Sequence, residues 1–302
     1  MTSRHSALFG AFLALAAGTV FSFGSITVRV SPSLDAVQYL LWRSIGLLPL
    51  VVIVALIQGK SPIRQVLSGG LLGFGGAVLM TVMADLFIYA MKTTTIANAL
   101  LFSSAAPLIG AILARLILNE KILIFTWLGI AIGIVGLLVM TWGELGSGNA
   151  AGNLAAFGVG FAYGLYSIVA RVGRDRDMSG VVIGWAVLTI ITCGLYMLLT
   201  GSNFATPLDQ NLAAMLHGAA FIGGGMYLLN TAARSVGAGR LVLLAQTETI
   251  LGPVWVLLFF GEVPRLTTII GGLVLLAGVL LSAFARSSAP EEEAEVAARA
   301  SV

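Results

Sequence analysis

Residues 10–35, GAFLALAAGTVFSFGSITVRVSPSLD, and residues 152–177, GNLAAFGVGFAYGLYSIVARVGRDRD, lie over one another without a gap. Gly10 falls on Gly152, Gly18 on Gly160, Ser25 on Ser167, Arg29-Val30 on Arg171-Val172 and Asp35 on Asp177. The same offset carries on down the chain. Lys92 meets Arg234, Glu120 meets Glu262, Gly129 meets Gly271 and Gly136 meets Gly278. The chain reads as a tandem duplication in which polar punctuation is copied along with the apolar runs.

Composition says which solvent surrounds it. Of 302 residues, 58% are hydrophobic and only 10% charged, against about 25% charged in an ordinary soluble domain. Mean hydropathy is +1.01. So little charge cannot cover the surface of a water-soluble fold, so lipid is the expected solvent. The 37 glycines fit close packing of membrane helices. Cys193 is the lone cysteine, which excludes an intramolecular disulfide, a Cys-rich zinc site and a cysteine-ligated iron–sulfur cluster. A net charge of +3, scattered among apolar runs, is no nucleic-acid signal.

A bilayer core needs about 20 apolar residues per helix. Cutting at charged or Gly/Ser/Pro breaks gives ten runs: 7–28, 36–57, 67–90, 95–118, 122–142, 150–170, 179–200, 212–233, 239–260 and 266–285. They lack the period-2 alternation of a membrane barrel, so helices are expected. The first run, with Arg4 before it and Ala16-Ala17-Gly18 within it, has the look of a secretory signal. A cleaved signal would have no retained copy at 150–170, so 7–28 is read as a span. Five spans per copy is an odd number, so the second copy enters the membrane upside down. The expected fold class is an all-α membrane protein, ten transmembrane helices in a five-plus-five inverted-topology repeat, an architecture many secondary transporters share. The expected units are 1–144, 145–286 and a solvated, disordered acidic tail over 287–302.

Orientation follows from Lys and Arg. With the N-terminus in the cytoplasm, twelve basic residues fall inside: Arg4, Lys60, Arg64, Arg115, Lys121, Arg171, Arg174, Arg176, Arg234, Arg240, Arg286 and Arg299. Three, Arg29, Lys92 and Arg265, fall outside, and Arg43 lies within a span. Both termini are therefore expected to be cytoplasmic.

The stretch Tyr89 to Lys121, YAMKTTTIANALLFSSAAPLIGAILARLILNEK, with its counterpart Ala232 to Pro264, AARSVGAGRLVLLAQTETILGPVWVLLFFGEVP, resembles the EamA-type branch of the drug/metabolite transporter superfamily. The glycine-rich runs GIAIGIVGLLV from Gly129 and GGLVLLAGVLL from Gly271 are similar to that family too, and the resemblance covers essentially the whole chain. It implies ten helices, an inverted repeat and alternating-access movement of small metabolites, often outward, in a bacterial inner membrane. One departure concerns the prolines. The repeat-mate of Pro107 is Thr249, not Pro253, so a hinge made by the prolines would be asymmetric.

Charges at bilayer depth are costly and usually face a cavity or a partner. Arg43, Asp85 and Glu248 are such charges, and their repeat-mates are the uncharged Trp185, Tyr227 and Ala106. Arg43 either clamps a substrate carboxylate or phosphate or ties to Asp85. Asp85 either pairs with Arg43 or lines the outer vestibule. Glu248, near mid-membrane, is the proton-coupling candidate, because a low dielectric disfavours its charged form; the alternatives are an amine contact or a hydrogen bond to Gln246 or Thr249. Pro107 and Pro253 are the expected helix breaks, beside Ser103-Ser104 and Gln246-Thr247-Glu248-Thr249. Tyr163, Tyr227 and Asn98 complete the candidate substrate-binding set, as rings and amides that either flank a solute or make ordinary bundle contacts. His217 is a weaker pH-sensing candidate, and Trp42 and Trp142 read as interface residues.

No GxxxxGK[ST], HExxH or Cys/His metal set occurs, so neither a cofactor nor a metal is expected, and movement would draw on an ion gradient, exchange or downhill flow. The expected partners are a small-molecule substrate, the lipid bilayer and protons, with the protein a monomer or homodimer. The leading reading is export of amino acids or related zwitterions, because a cation and anions are both buried. The alternative is a proton-coupled antiporter of cationic drugs or amines. A membrane enzyme or a non-transporting scaffold are the other classes.

Overall fold

The computed structural model describes residues 2–120, 122–143 and 149–300, with the side chains of 2–7, 238, 239, 242 and 285–300 left out of that description. Over 287–300, where a disordered acidic tail was the expectation, the backbone continues the last helix, Leu266–Ala300. Among the described residues, ten helices are long and apolar enough to cross a membrane: α1 Leu8–Arg29, α2 Ala36–Ile57, α3 Gly70–Thr93, α4 Ile96–Ile117, α5 Ile124–Gly143, α6 Ala150–Val172, α7 Val181–Thr200, α8 Leu208–Ala232, α9 Leu243–Phe260 and α10 Leu266–Phe284. With an even number of spans, both ends of the chain emerge on one face, here called the terminal face; the other is the far face.

The duplication extends to how helices stop, though not to how they start, since Asp177, the repeat-mate of Asp35, does not cap α7. Asp35 caps α2, accepting from Gln38 N while the Gln38 side chain accepts from the Asp35 amide. The second and fourth spans of each copy end on a left-handed residue: Gly59 (φ 70) after α2 and Gly201 (φ 69) after α7, Asn119 (φ 58) after α4 and Gly261 (φ 66) after α9. These positions match under the repeat offset. Glycine meets no Cβ penalty there, and asparagine is the side chain that tolerates the conformation best.

Packing sorts the helices into two bundles. One holds α3, α4, α6 and α7; the other holds their repeat-mates α8, α9, α1 and α2. Pairs of repeat-mates join the bundles: α2 with α7, α4 with α9 and α5 with α10. At the α5–α10 crossing, a Cβ on Gly129 would lie 2.5 Å from the Gly278 carbonyl, and one on Gly136 would lie 2.5 Å from the Gly271 carbonyl. The lower-numbered glycine of α5 meets the higher-numbered glycine of α10, so the helices run antiparallel. Exchanging the repeats also turns one contact into the other. The crossing therefore carries the pseudo-two-fold of an inverted repeat, and it needs small residues because lipid supplies no hydrophobic drive between helices.

Two features break the symmetry. The α1 helix is interrupted at Phe23, between Ser22 and Gly24, whereas α6 is continuous. The α8 helix widens into a π-helix over His217–Gly223, and α3 has no counterpart to it. The two irregularities touch: His217 packs on Gly24, where a Cβ would lie 2.5 Å from its Nε2.

Candidate functional site

The site is built on two broken helices. In α4 the helical segments are Ile96–Ser103 and Ala106–Ile117. In α9 they are Ala238–Ala245 and Thr247–Phe260. The interruptions, at Ser104 and Gln246, are repeat-mates. At the first, Ser104 Oγ donates to the Leu101 carbonyl at 2.7 Å. At the second, the Gln246 amide donates to the Leu243 carbonyl at 3.2 Å.

The prolines do not make the breaks, which corrects the sequence reading. Pro107 sits in the first turn of the second α4 segment, where a missing N–H costs nothing. Pro253 lies inside the uninterrupted segment Thr247–Phe260, where it forgoes a hydrogen bond to Thr249 without ending the helix. The asymmetric hinge expected from their spacing is thus replaced by a symmetric pair of interruptions upstream of both.

Between the bundles, against these breaks, lies a cavity of about 290 Å³. One wall is Phe87 of α3, Leu100, Ser103, Ser104 and Pro107 of α4, and Tyr163 of α6. The other is Leu229 of α8 with Leu241, Gln246, Glu248 and Thr249 along α9. Leu229 and Leu241 lie toward the terminal-face ends of their helices, so the cavity runs from mid-membrane toward that face.

Glu248 is the one acid or base on this lining. The Thr249 hydroxyl donates to Gln246 Oε1 at 2.9 Å, so the helix contact expected for Glu248 is made between its neighbours instead. Ion pairs among the described residues join Arg29 to Glu262, Arg171 to Glu120 and Arg174 to Asp175. None involves Glu248, whose carboxylate faces the cavity with no hydrogen-bond partner among the described residues. Such a group accepts either a proton or an ammonium donor.

Ser103, Ser104, Tyr163, Gln246 and Glu248 thus come together as expected. Arg43 and Asp85 do not join them. Arg43 is 2% exposed and stacks over its own repeat-mate Trp185, 5.6 Å from the ring centroid. Arg43 and Asp85 form no salt bridge among the described residues, and Arg43 Nη2 and Asp85 Oδ1 are both buried without hydrogen-bond partners. Neither the direct tie nor the clamp in the shared cavity is present. The two residues occupy the α2–α3–α7 contact instead.

Asn98 is also placed elsewhere. Its amide donates to Thr94 Oγ1 at 3.3 Å and its carbonyl accepts from Thr268 Oγ1 at 2.9 Å, tying α4 to α10. Tyr227 is 59% exposed, away from the cavity lining. His217 lies in a buried chain. Thr27 Oγ1 donates to the Gly24 carbonyl at 2.7 Å, so it accepts from Tyr39 Oη at 2.8 Å, and Tyr39 in turn accepts from His217 Nδ1 at 2.7 Å. Phe87, Leu100, Leu229 and Leu241 gave no sequence signal, since an apolar side chain in a span is the norm. A separate groove of about 350 Å³ between α3 and α7, lined by residues such as Val66, Gly73, Phe74 and Gly184, has no polar side chain to offer a solute.

Comparison with known proteins agrees with this architecture. The sequence pattern of the EamA-like transporter family matches residues 8–142 and again 150–284, two stretches that begin and end at repeat-mates. An uncharacterized transporter of Methanothermobacter thermautotrophicus is 27% identical over 293 residues, 93% of this chain and 79% of that one. Human solute carrier family 35 member G1 is 25% identical over 285 residues, 89% of this chain and 77% of that one. A crystal structure of another protein, 17% identical, shares the fold with a TM-score of 0.63 over 90% of this chain and 96% of its own. Duplicated, ten-spanning and built around a cavity between its halves, the chain belongs to the EamA-like transporter family.

Proposed function

We propose that the protein exports small organic solutes bearing an ammonium group, with Glu248 as the charged contact in the cavity and as the group that exchanges a proton for the solute. One observation carries the reading: Glu248 is an unpartnered carboxylate on a cavity that holds no basic side chain. A carboxylate removed from water is unfavourable until a proton or a cation neutralises it. Solute and proton therefore compete for one group, which is the simplest coupling an antiporter can use. The volume, about 290 Å³, sits at the small end of the roughly 300–1,000 Å³ usual for small-molecule sites, which suits a metabolite rather than a polymer.

Amino acids and related zwitterions are the second reading. The Tyr163 hydroxyl and the Gln246 amide NH₂ are donors without partners among the described residues, beside the cavity and available to a carboxylate. With Arg43 outside the cavity, a zwitterion would find only neutral donors for its negative end, so amines rank first. The distribution of Lys and Arg supports placement of the terminal face in the cytoplasm.

Flux into proteoliposomes tests this. With an imposed pH gradient, amines are expected to exchange for protons, and Glu248→Gln should cut that exchange roughly tenfold to a hundredfold, as loss of a charged hydrogen bond does. Transport of anions but not amines, or full exchange by Glu248→Gln, would overturn the proposal.

A further inference from the structure

Each bundle carries one arginine–glutamate pair, and exchanging the repeats maps one pair onto the other. On the far face Arg29, at the end of α1, donates from Nε to Glu262 Oε2 at 2.7 Å, in the turn after α9. On the terminal face Arg171, at the end of α6, donates from Nη1 to both Glu120 oxygens at 2.8 and 2.7 Å, in the turn after α4. Each pair ties together helices of its own bundle.

Their surroundings differ. The far-face pair is docked on the opposite bundle. Arg29 Nη1 donates to the Met91 carbonyl at 2.9 Å and Nη2 to the Thr94 carbonyl at 3.1 Å, at the end of α3. Glu262 Oε1 accepts from the Ile96 amide at 2.7 Å, at the start of α4. The cation thus reaches free C-terminal carbonyls and the anion a free N-terminal amide, which is the favourable sense at helix ends. Lys92 of α3 reaches back to the Ser31 and Val28 carbonyls at the end of α1.

Under repeat exchange the terminal face would place Arg171 on the Ala233 and Val236 carbonyls, Glu120 on the amide of Ala238, and Arg234 on the Ala170 and Gly173 carbonyls. Among the described residues none of these bonds is made. Arg171 donates to Glu120 alone, and Arg234 is exposed. The far-face pair is 22% exposed on both partners, the terminal-face pair 40% and 48%. The cavity runs toward this undocked face.

We propose that the two pairs are alternating locks of the transport cycle: Arg29–Glu262, with Lys92, closes the far mouth in this structure, and Arg171–Glu120, with Arg234, docks in the same way to close the terminal mouth when the far one opens. Each ion pair persists throughout as a rigid prong; what forms and breaks is its docking on the helix ends across the mouth. The proposal rests on the carrier reading, and its test needs no substrate.

The test uses full-length protein in liposomes, with Cys193→Ala to remove the native thiol and Ser103→Cys as a reporter on the cavity wall. An impermeant thiol reagent is added on the far side. Labelling is expected to be slow in this parent and about tenfold or more faster with Glu262→Gln or Arg29→Gln, equivalent to about 1.4 kcal/mol or more of lost closure. Lys92→Ala, which keeps the ion pair intact, should act in the same direction. Adding Glu120→Gln to Glu262→Gln should weaken the opposing lock and slow labelling again severalfold. A purely structural salt bridge predicts no such directional reversal. Unchanged far-side labelling in all three single variants, or faster labelling when Glu120→Gln is added, overturns the locks. If labelling shifts as expected while no amine moves in flux assays, the substrate reading fails and the locks stand.

Discussion

A carboxylate without a partner in a low-dielectric cavity persists because something arrives to neutralise it, and that is the chemical case for Glu248. A conservative test at this site is Glu248→Asp, which keeps the charge and shortens the reach by one methylene. It should retain proton exchange and weaken apparent amine affinity by about tenfold, as expected for a lengthened charged hydrogen bond; flux against amine concentration separates the two effects. Arg43 makes the opposite case. It stacks on Trp185 within the α2–α7 contact, away from the cavity, so its replacement bears on folding, where loss of a buried charge beside Asp85 is costly, rather than on solute contact. Arg43→Met should therefore leave amine flux per folded molecule within about threefold of the parent. A loss as deep as that of Glu248→Gln would place Arg43 in the transport path after all. Position along a span does not say which way round the helix a side chain points. Glu248 is legible because its neighbours Gln246 and Thr249 are polar as well; the place of Arg43 and Asp85 is not, because it depends on which neighbouring helix each side chain meets.

Helix ends and crossings are where the duplication acts on structure. Span limits were readable to within a few residues, since apolar runs of about 20 residues leave little choice. The hinges were not, because a proline in the first turn of a segment is compatible with helix, whereas Ser104 and Gln246 interrupt α4 and α9 without any proline. The α5–α10 crossing gives a test at this scale. Gly136 has the Gly271 carbonyl and Leu275 backbone within 3 Å of where a Cβ would stand, so Gly136→Val must push the helices apart, at about 1–3 kcal/mol or more. Gly75 has nothing within 4 Å of that position, so Gly75→Ala should be neutral or mildly stabilising, since alanine favours helix. Thermal unfolding in detergent is expected to fall for the first and hold for the second. Equal behaviour would mean that the crossing is not tightly held.

At the scale of the whole molecule, two bundles related by a pseudo-two-fold can each serve either face, so the chain's own symmetry does not say which way it sits. Only features that break the symmetry can orient it, and the strongest is the basic residues: with the terminal face inside, twelve are cytoplasmic and three are not. A protein inserting in both directions would have nearly equal counts, because short-loop Lys and Arg decide topology. The prediction is a single orientation that puts the exposed Arg171, Arg174 and Arg176 in the cytoplasm and the docked Arg29 and Lys92 on the far side. Those two cations bond helix-end carbonyls, as Arg265 does at Gly143, so all three far-side cations are engaged by the protein itself. A reporter active only outside the cell, fused after Ala285, should be silent, and the same reporter inserted in the turn over 201–207 should be active. Activity at both positions would mean mixed insertion. Activity at the first alone would reverse the molecule and turn the open cavity of this structure toward the outside, making the state described here the releasing one for an exporter.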